Sequence, residues 1–276
     1  MRNLRKTDSQ TKTIFFPTTS MAATNNNNET TPPRPVHRIC GNCQKKEEEL
    51  GEGNNMLQCS VCRVAYYCNV ECQKNDWQEH KVHCGNLGLM ALAKAIEDGD
   101  TGTVQRLAKS KAVLKKKTIP FGSNGTWSAF HHCIRHGRDD YLELLLTTTA
   151  GINPNIRDTD GDTPLHSAAD SSCDKAIETM KLLLEHGADV NAMGGEGWTP
   201  LMMASRKCNP NNVKFLLQHG ADINVGHDMF GRGPLEMLTM MSGTSKRDDE
   251  TWEDAEIRKQ ETINVLREHV AAAGIN

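Results

Sequence analysis

Aromatic side chains make up only 5% of the 276 residues, with four tryptophans, three tyrosines and six phenylalanines. So few large rings disfavour a β-sandwich or barrel, whose strands lean on aromatic and β-branched residues. No run approaches the roughly 18 apolar residues that a membrane-spanning helix requires. The apolar stretch "TIFFP" is too short for a secretory segment and is broken by Pro17. Arg2, Arg5, Lys6 and Lys12 precede few acids, yet they fit an organelle-targeting segment poorly. A reducing compartment, cytoplasm or nucleus, is therefore expected. The formal net charge is −3, which implies no global attraction to nucleic acid. Cysteine is scarce as well over most of the chain, where only Cys133, Cys173 and Cys208 occur.

The other seven cysteines crowd between residues 40 and 84. Two pairs, Cys40/Cys43 and Cys59/Cys62, have the two-residue gap of a metal knuckle, which aims both thiolates at one ion. Two more, Cys68/Cys72 and His80/Cys84, have the four-residue spacing that puts both side chains on one helix face. Eight ligands in four pairs suit two tetrahedral Zn²⁺ sites. An odd number of cysteines without a secretory segment argues against a disulfide framework. No His or acid outside the ligand set stands ready to activate a nucleophilic cysteine. His83 breaks the four-residue spacing and is left out of the ligands. Spacing does not say which pairs share an ion, and a sequential arrangement (40, 43, 59, 62, then 68, 72, 80, 84) is geometrically possible.

The string C-x2-C…C-x2-C-x5-C-x3-C-x7-H-x3-C, with "YYC" before Cys68 and "CQKNDWQEH" from Cys72 to His80, resembles the MYND-type zinc finger. That resemblance implies interleaved sites: Cys40, Cys43, Cys68 and Cys72 on one zinc, and Cys59, Cys62, His80 and Cys84 on the other. It also implies a groove for a proline-containing peptide at Ser60, Gln73 and Trp77. Gln73 and Trp77 are four apart and share a helix face, where an aromatic beside an amide suits proline rings and their free carbonyls. The plainer reading of Trp77 is that it covers the metal core. A unit this small has almost no core of its own, and each structural zinc supplies on the order of 10–16 kcal/mol in its place.

From residue 89 onward the pattern repeats. "DGDTPLHSAAD" (160–170) returns as "EGWTPLMMASR" (196–206), and "LLLEHGADVNA" (182–192) as "FLLQHGADINV" (215–225). Weaker copies lie at 89–110, 125–146 and 230–241. A period near 33 residues marks a solenoid whose units cannot bury their apolar face alone. Thr163-Pro164 and Thr199-Pro200 open helices, with proline where its missing N–H is harmless. Gly187 and Gly220 close helices in a conformation with φ > 0. The unit resembles the ankyrin repeat. The expected architecture is a disordered tail (1–38), a zinc-stapled finger (39–84) and an all-α ankyrin-repeat solenoid (89–276). The solenoid holds about five repeats, the terminal ones degenerate, with a charged insertion at about 242–260.

The lysines of "KSKAVLKKK" (109–117) read as a solvated face, and Leu114 is expected to lie outside the core. His131, His132, His136, His166, His186 and His219 read as structural, with His166 stabilising its turn and His186 and His219 at helix ends. Between 40 and 84 there are five Lys/Arg against seven Asp/Glu, and thiolates holding zinc make that surface still more negative. Such a surface repels phosphate, so nucleic acid is not an expected partner. The expected function is a monomeric interaction adaptor, with a peptide on the finger and a second protein on the array. A nuclear transcriptional co-regulator acting through the finger is the alternative. Some MYND-bearing proteins are lysine methyltransferases, but those carry a SET domain, and repeats fill the rest of this chain; no enzyme is expected.

Overall fold

The computed structural model describes residues 40–50, 56–60, 63–115, 119–121, 125–148, 152–173, 175–241, 246–247 and 250–274. The tail expected to be disordered (1–38) and the expected ligand Cys62 lie outside them, as does the side chain of His83. The described residues from 40 onward fall within one compact unit.

The finger has little regular structure. A 3₁₀ turn (Glu47–Leu50) is followed by β1 (Leu57–Gln58) and β2 (Tyr66–Tyr67), paired antiparallel with Leu57 opposite Tyr67. Cys40 bridges to Tyr66 beside that pair. The helix α1 (Val70–Asp98) then begins at Asn69, whose side chain accepts from the Cys72 backbone N–H at 2.8 Å. That cap satisfies one of the orphan donors at a helix start. Tyr67 is fully buried, and its hydroxyl donates to Asp76 at 2.7 Å, fixing the strand against the helix. Among the described residues, the finger's buried core is Cys40, Met56, Cys59, Tyr67 and Cys84, three of which are cysteines.

The sequence divides the chain between 84 and 89, yet α1 runs across that stretch without a break. Its first half faces the cysteines; its second half contributes Leu89, Leu92 and Ile96, all fully buried, to the core of the array. Arg63 and Arg106 exchange guanidinium-to-carbonyl hydrogen bonds, which seat the finger on the next helix.

The array is a stack of helix pairs. The second half of α1 pairs with α2 (Thr101–Ala108), which is followed by a single turn, α3 (Lys111–Leu114). A hairpin of β3 (Ile119–Phe121) and β4 (Gly125–Trp127) leads to α4 (Ala129–Arg135) and α5 (Asp139–Thr148). Then come α6 (Pro164–Asp170) with α7 (Ala176–Glu185), and α8 (Pro200–Arg206) with α9 (Pro210–Gln218). The last pair is α10 (Pro234–Met240) and α11 (Trp252–Ala273). Thr163 and Thr199 sit at the helix caps with proline following, and Gly187 and Gly220 both have φ near +88°. Neighbouring units are stitched by amides: Asn155 donates to the Gly187 carbonyl and accepts from Asp189 N–H. One unit on, Asn191 repeats both bonds with Gly220 and Asp222.

Two sequence expectations change. Val113 and Leu114 are buried, Leu114 at 2% exposure, so this lysine-rich segment is not simply a solvated face. The apolar pair turns inward between α1 and α2 while Lys109 and Lys115 stay exposed. At the other end, α11 starts at Trp252, inside the stretch 242–260 read as a charged insertion. Thr251 and Asp254 form a reciprocal cap there. Arg258 is buried because Glu250 pairs with it at 2.7 Å and the Lys207 and Cys208 carbonyls accept from its Nη1.

Candidate metal centre and adjoining groove

Cys40 and Cys43 come from the first knuckle, Cys68 directly follows β2, and Cys72 lies in the first turn of α1. One ligand atom from each lies within 4.8 Å of the others. Cys43 and Cys68 sulfurs stand 3.5 Å apart, and Cys68 and Cys72 sulfurs 3.4 Å. A second group joins Cys59, after β1, to His80 and Cys84 on α1, with the two sulfurs 3.6 Å apart. The described ligands thus gather by alternating pairs along the chain. His80 and Cys84 are one helical turn apart, so a single helix face carries both.

These separations discriminate between chemistries. A disulfide needs sulfurs about 2.05 Å apart. Sulfurs around a tetrahedral zinc with bonds near 2.3 Å stand roughly 3.8 Å apart. The observed spacing fits a cation at the centre of each group and fits no bridge. Electrostatics agrees. Burial works against ionising Cys40, but backbone N–H groups of Cys43, Cys68 and Asn42 outweigh it and bring its pKa down to about 6. The pKa of Cys68 is pushed up to about 12, by its bond to Cys72 and then by burial. Four thiols this close cannot all ionise unless a cation shares the space.

The same elements shape a groove. Ser60 follows the candidate ligand Cys59, and Gln73 and Trp77 occupy α1 between the candidate ligands Cys72 and His80. Together with Cys59, Val70 and Lys74 they line a depression of about 350 Å³. Trp77 is 40% exposed, and the ring of His80 lies 6.0 Å from it on one side and 6.0 Å from Tyr67 on another. The tryptophan therefore both flanks His80 and presents a face to solvent. Val70 and Lys74 were not singled out by sequence, although their spacing to Gln73 and Trp77 is the signal that places them on this face.

On the array, Asp160, Asp162, Glu196, Trp198, Met203 and Arg206 line a second depression of about 500 Å³. Burial, then the neighbouring Asp158, Asp160 and Asp170, pushes the Asp162 carboxyl up to about 6. Arg206 lies over the Trp198 ring and pairs with Asp170 at 2.6 Å.

Residues 40–84 match the family model of the MYND finger, and residues 150–227 match ankyrin repeats in three copies. The chain combines a MYND finger with ankyrin repeats. Over 46 residues, 17% of this chain, it is 39% identical to a SET and MYND domain-containing protein of Dictyostelium discoideum. It is 44% identical over 74 residues, 26% of its length, to the N-lysine methyltransferase SMYD2 of Gallus gallus. A putative ankyrin repeat protein of fowlpox virus is 48% identical over 69 residues, 25% of this chain. These matches cover 8%, 15% and 13% of those three proteins respectively. The donor set of the MYND finger is suited to zinc, and both kinds of module are protein-interaction modules. Among the described residues no helix is long and apolar enough to cross a membrane.

Proposed function

We propose that the protein is an adaptor whose MYND finger holds two Zn²⁺ ions and captures a proline-containing peptide, while its ankyrin array engages a second protein. Cys40, Cys43, Cys68 and Cys72 hold the first zinc, and Cys59, Cys62, His80 and Cys84 the second. Ser60, Gln73 and Trp77 are the peptide contacts. One observation carries the reading: the groove and the second metal group are built from the same two segments. Cys59 is followed directly by Ser60, and α1 presents Gln73 two turns and Trp77 one turn before His80. Zinc therefore sets the spacing between the two walls of the groove. Trp77 supplies a flat apolar face for a proline ring, and the Gln73 amide donates to a carbonyl that proline leaves free.

Both metals complete a closed shell of four protein ligands and leave no position for a substrate, so their role is architectural rather than catalytic. The similarity to SMYD2 is a matter of the finger, and no enzymatic activity is assigned to this chain. Acidic excess over 40–84 disfavours nucleic acid. The acidic, tryptophan-walled depression on the array is the surface we assign to the second protein. The chain is read as a monomer working in the cytoplasm or nucleus.

Calorimetric titration of the zinc-loaded protein with a proline-rich peptide tests the finger's part. Binding that disappears when the prolines are replaced by alanine is the expected result. Equal binding of both peptides, or of neither, contradicts it.

A further inference from the structure

Away from the finger, three side chains of unlike chemistry converge at the seam between α1 and α4. His132 lies in the last turn of α4 and His136 caps that helix, four residues on, with their ring centroids 4.4 Å apart. Glu97, in the last turn of α1, brings a carboxylate oxygen to 3.2 Å from His132 Nε2. One ligand atom from each of the three lies within 4.8 Å of the other two. Sequence reading treated these histidines as structural, because Glu97 lies far from them along the chain.

His132 is only 5% exposed; the Glu97 carboxylate and the Ala93 backbone lie beside its ring, yet neither ring nitrogen meets full hydrogen-bond geometry with a described group. A buried ring left so is unfavourable unless something else takes a lone pair. Among the described residues, Lys94 pairs with Asp98 at 2.5 Å and Arg138 with Asp140 at 2.9 Å, rather than with the Glu97 carboxylate. The geometry points to a third cation site, in which Glu97, His132 and His136 bind one borderline divalent metal of the zinc type.

Two imidazoles and a carboxylate are a donor set for such ions. Ligand atoms around a tetrahedral zinc with bonds of 2.0–2.1 Å stand roughly 3.4 Å apart. His132 is the fixed anchor, and the exposed Glu97 and His136 close that difference by rotamer adjustment. Their exposure also supplies the entry path and leaves the fourth position open to water. A bound ion would clamp the end of the helix that carries Cys72, His80 and Cys84 onto α4, linking the finger to the repeats through metal. The site is independent of how many zincs the finger holds.

The test uses the full chain with its thiol-held zinc in place, titrated with ZnCl₂ in a non-coordinating buffer at neutral pH. Wild type should take up one further equivalent, removed by a mild chelator that leaves the thiol-held metal, and its Tm should rise with uptake. His136→Ala and Glu97→Gln should each weaken that uptake by more than the roughly tenfold seen on losing an outer-shell partner. Both should keep the thiol-held zinc and the Tm measured before the extra metal is added, while His219→Ala should behave as wild type. No further equivalent in wild type, or uptake of unchanged affinity in either variant, overturns the site and reduces the cluster to a His–Glu ion pair.

Discussion

His166 donates from Nε2 to the carbonyl oxygen of Trp198 at 3.0 Å, tying one ankyrin unit to the turn that opens the next. The tautomer follows from the other nitrogen: Nδ1 accepts the Thr163 backbone N–H at 3.1 Å and so carries no proton. His131 stands likewise one unit earlier, with Nδ1 2.7 Å from the Ser128 hydroxyl and Nε2 3.2 Å from the Asp162 carbonyl oxygen.

This arrangement makes stability depend on pH. Burial, above all, holds both imidazoles near a pKa of about 4, against an ordinary value of 6.5. Between those values the unfolded chain binds a proton that the folded chain refuses, so stability falls as pH falls, by up to about 3 kcal/mol for each histidine. Asp162, raised to about 6, acts in the opposite sense, because protonating it favours the folded form. Comparison with His166→Gln isolates one contribution. Urea unfolding between about pH 7 and pH 5 should show the gap between wild type and variant narrowing towards the acid side. A gap that stays constant would mean that His166 titrates normally.

Leu183 and Leu216 are fully buried and Leu114 nearly so. Truncating any of them to alanine should cost about 2–5 kcal/mol in denaturant unfolding. A loss at Leu114 well below the other two would return the lysine-rich segment to the surface.

Leu114 also shows where sequence reading stops. The cysteines and His80 that gather in two groups were legible as spaced pairs, because spacing is a covalent property that survives any fold. The repeat period and its Thr-Pro and Gly signals were legible for the same reason. Leu114 was not, since the lysines around it carry the composition while two adjacent apolar residues carry the packing. The continuity of α1 was hidden by Gly85 and Gly88, each of which disfavours helix by about 1 kcal/mol. The burial of Leu89, Leu92 and Ile96 on one side, with the proposed metal ligands on the other, outweighs them. Glu97, His132 and His136 were invisible as a group because only the stacking of α4 on α1 assembles them.

Metal removal should divide the molecule. The finger's core is mostly ligand, whereas the array's core, from Leu89 to Leu266, contains none of the thiols proposed to bind zinc. A strong chelator should therefore abolish structure over 40–84, including the start of α1, and leave most helical circular dichroism intact. Collapse of most of the helical signal would show that the unbroken α1 makes finger and array one cooperative unit.

Trp77 and Cys59 both line the groove, and a single comparison separates the duties proposed for them. Zinc content and affinity for a proline-rich peptide are measured on the same samples of Trp77→Ala and Cys59→Ser. Trp77→Ala should retain the wild-type zinc content and lose about 2 kcal/mol or more of binding, roughly thirtyfold in Kd. Cys59→Ser should lose metal and binding together. Release of zinc by Trp77→Ala as readily as by Cys59→Ser would make the tryptophan a cover for the metal and remove the physical basis of the peptide groove.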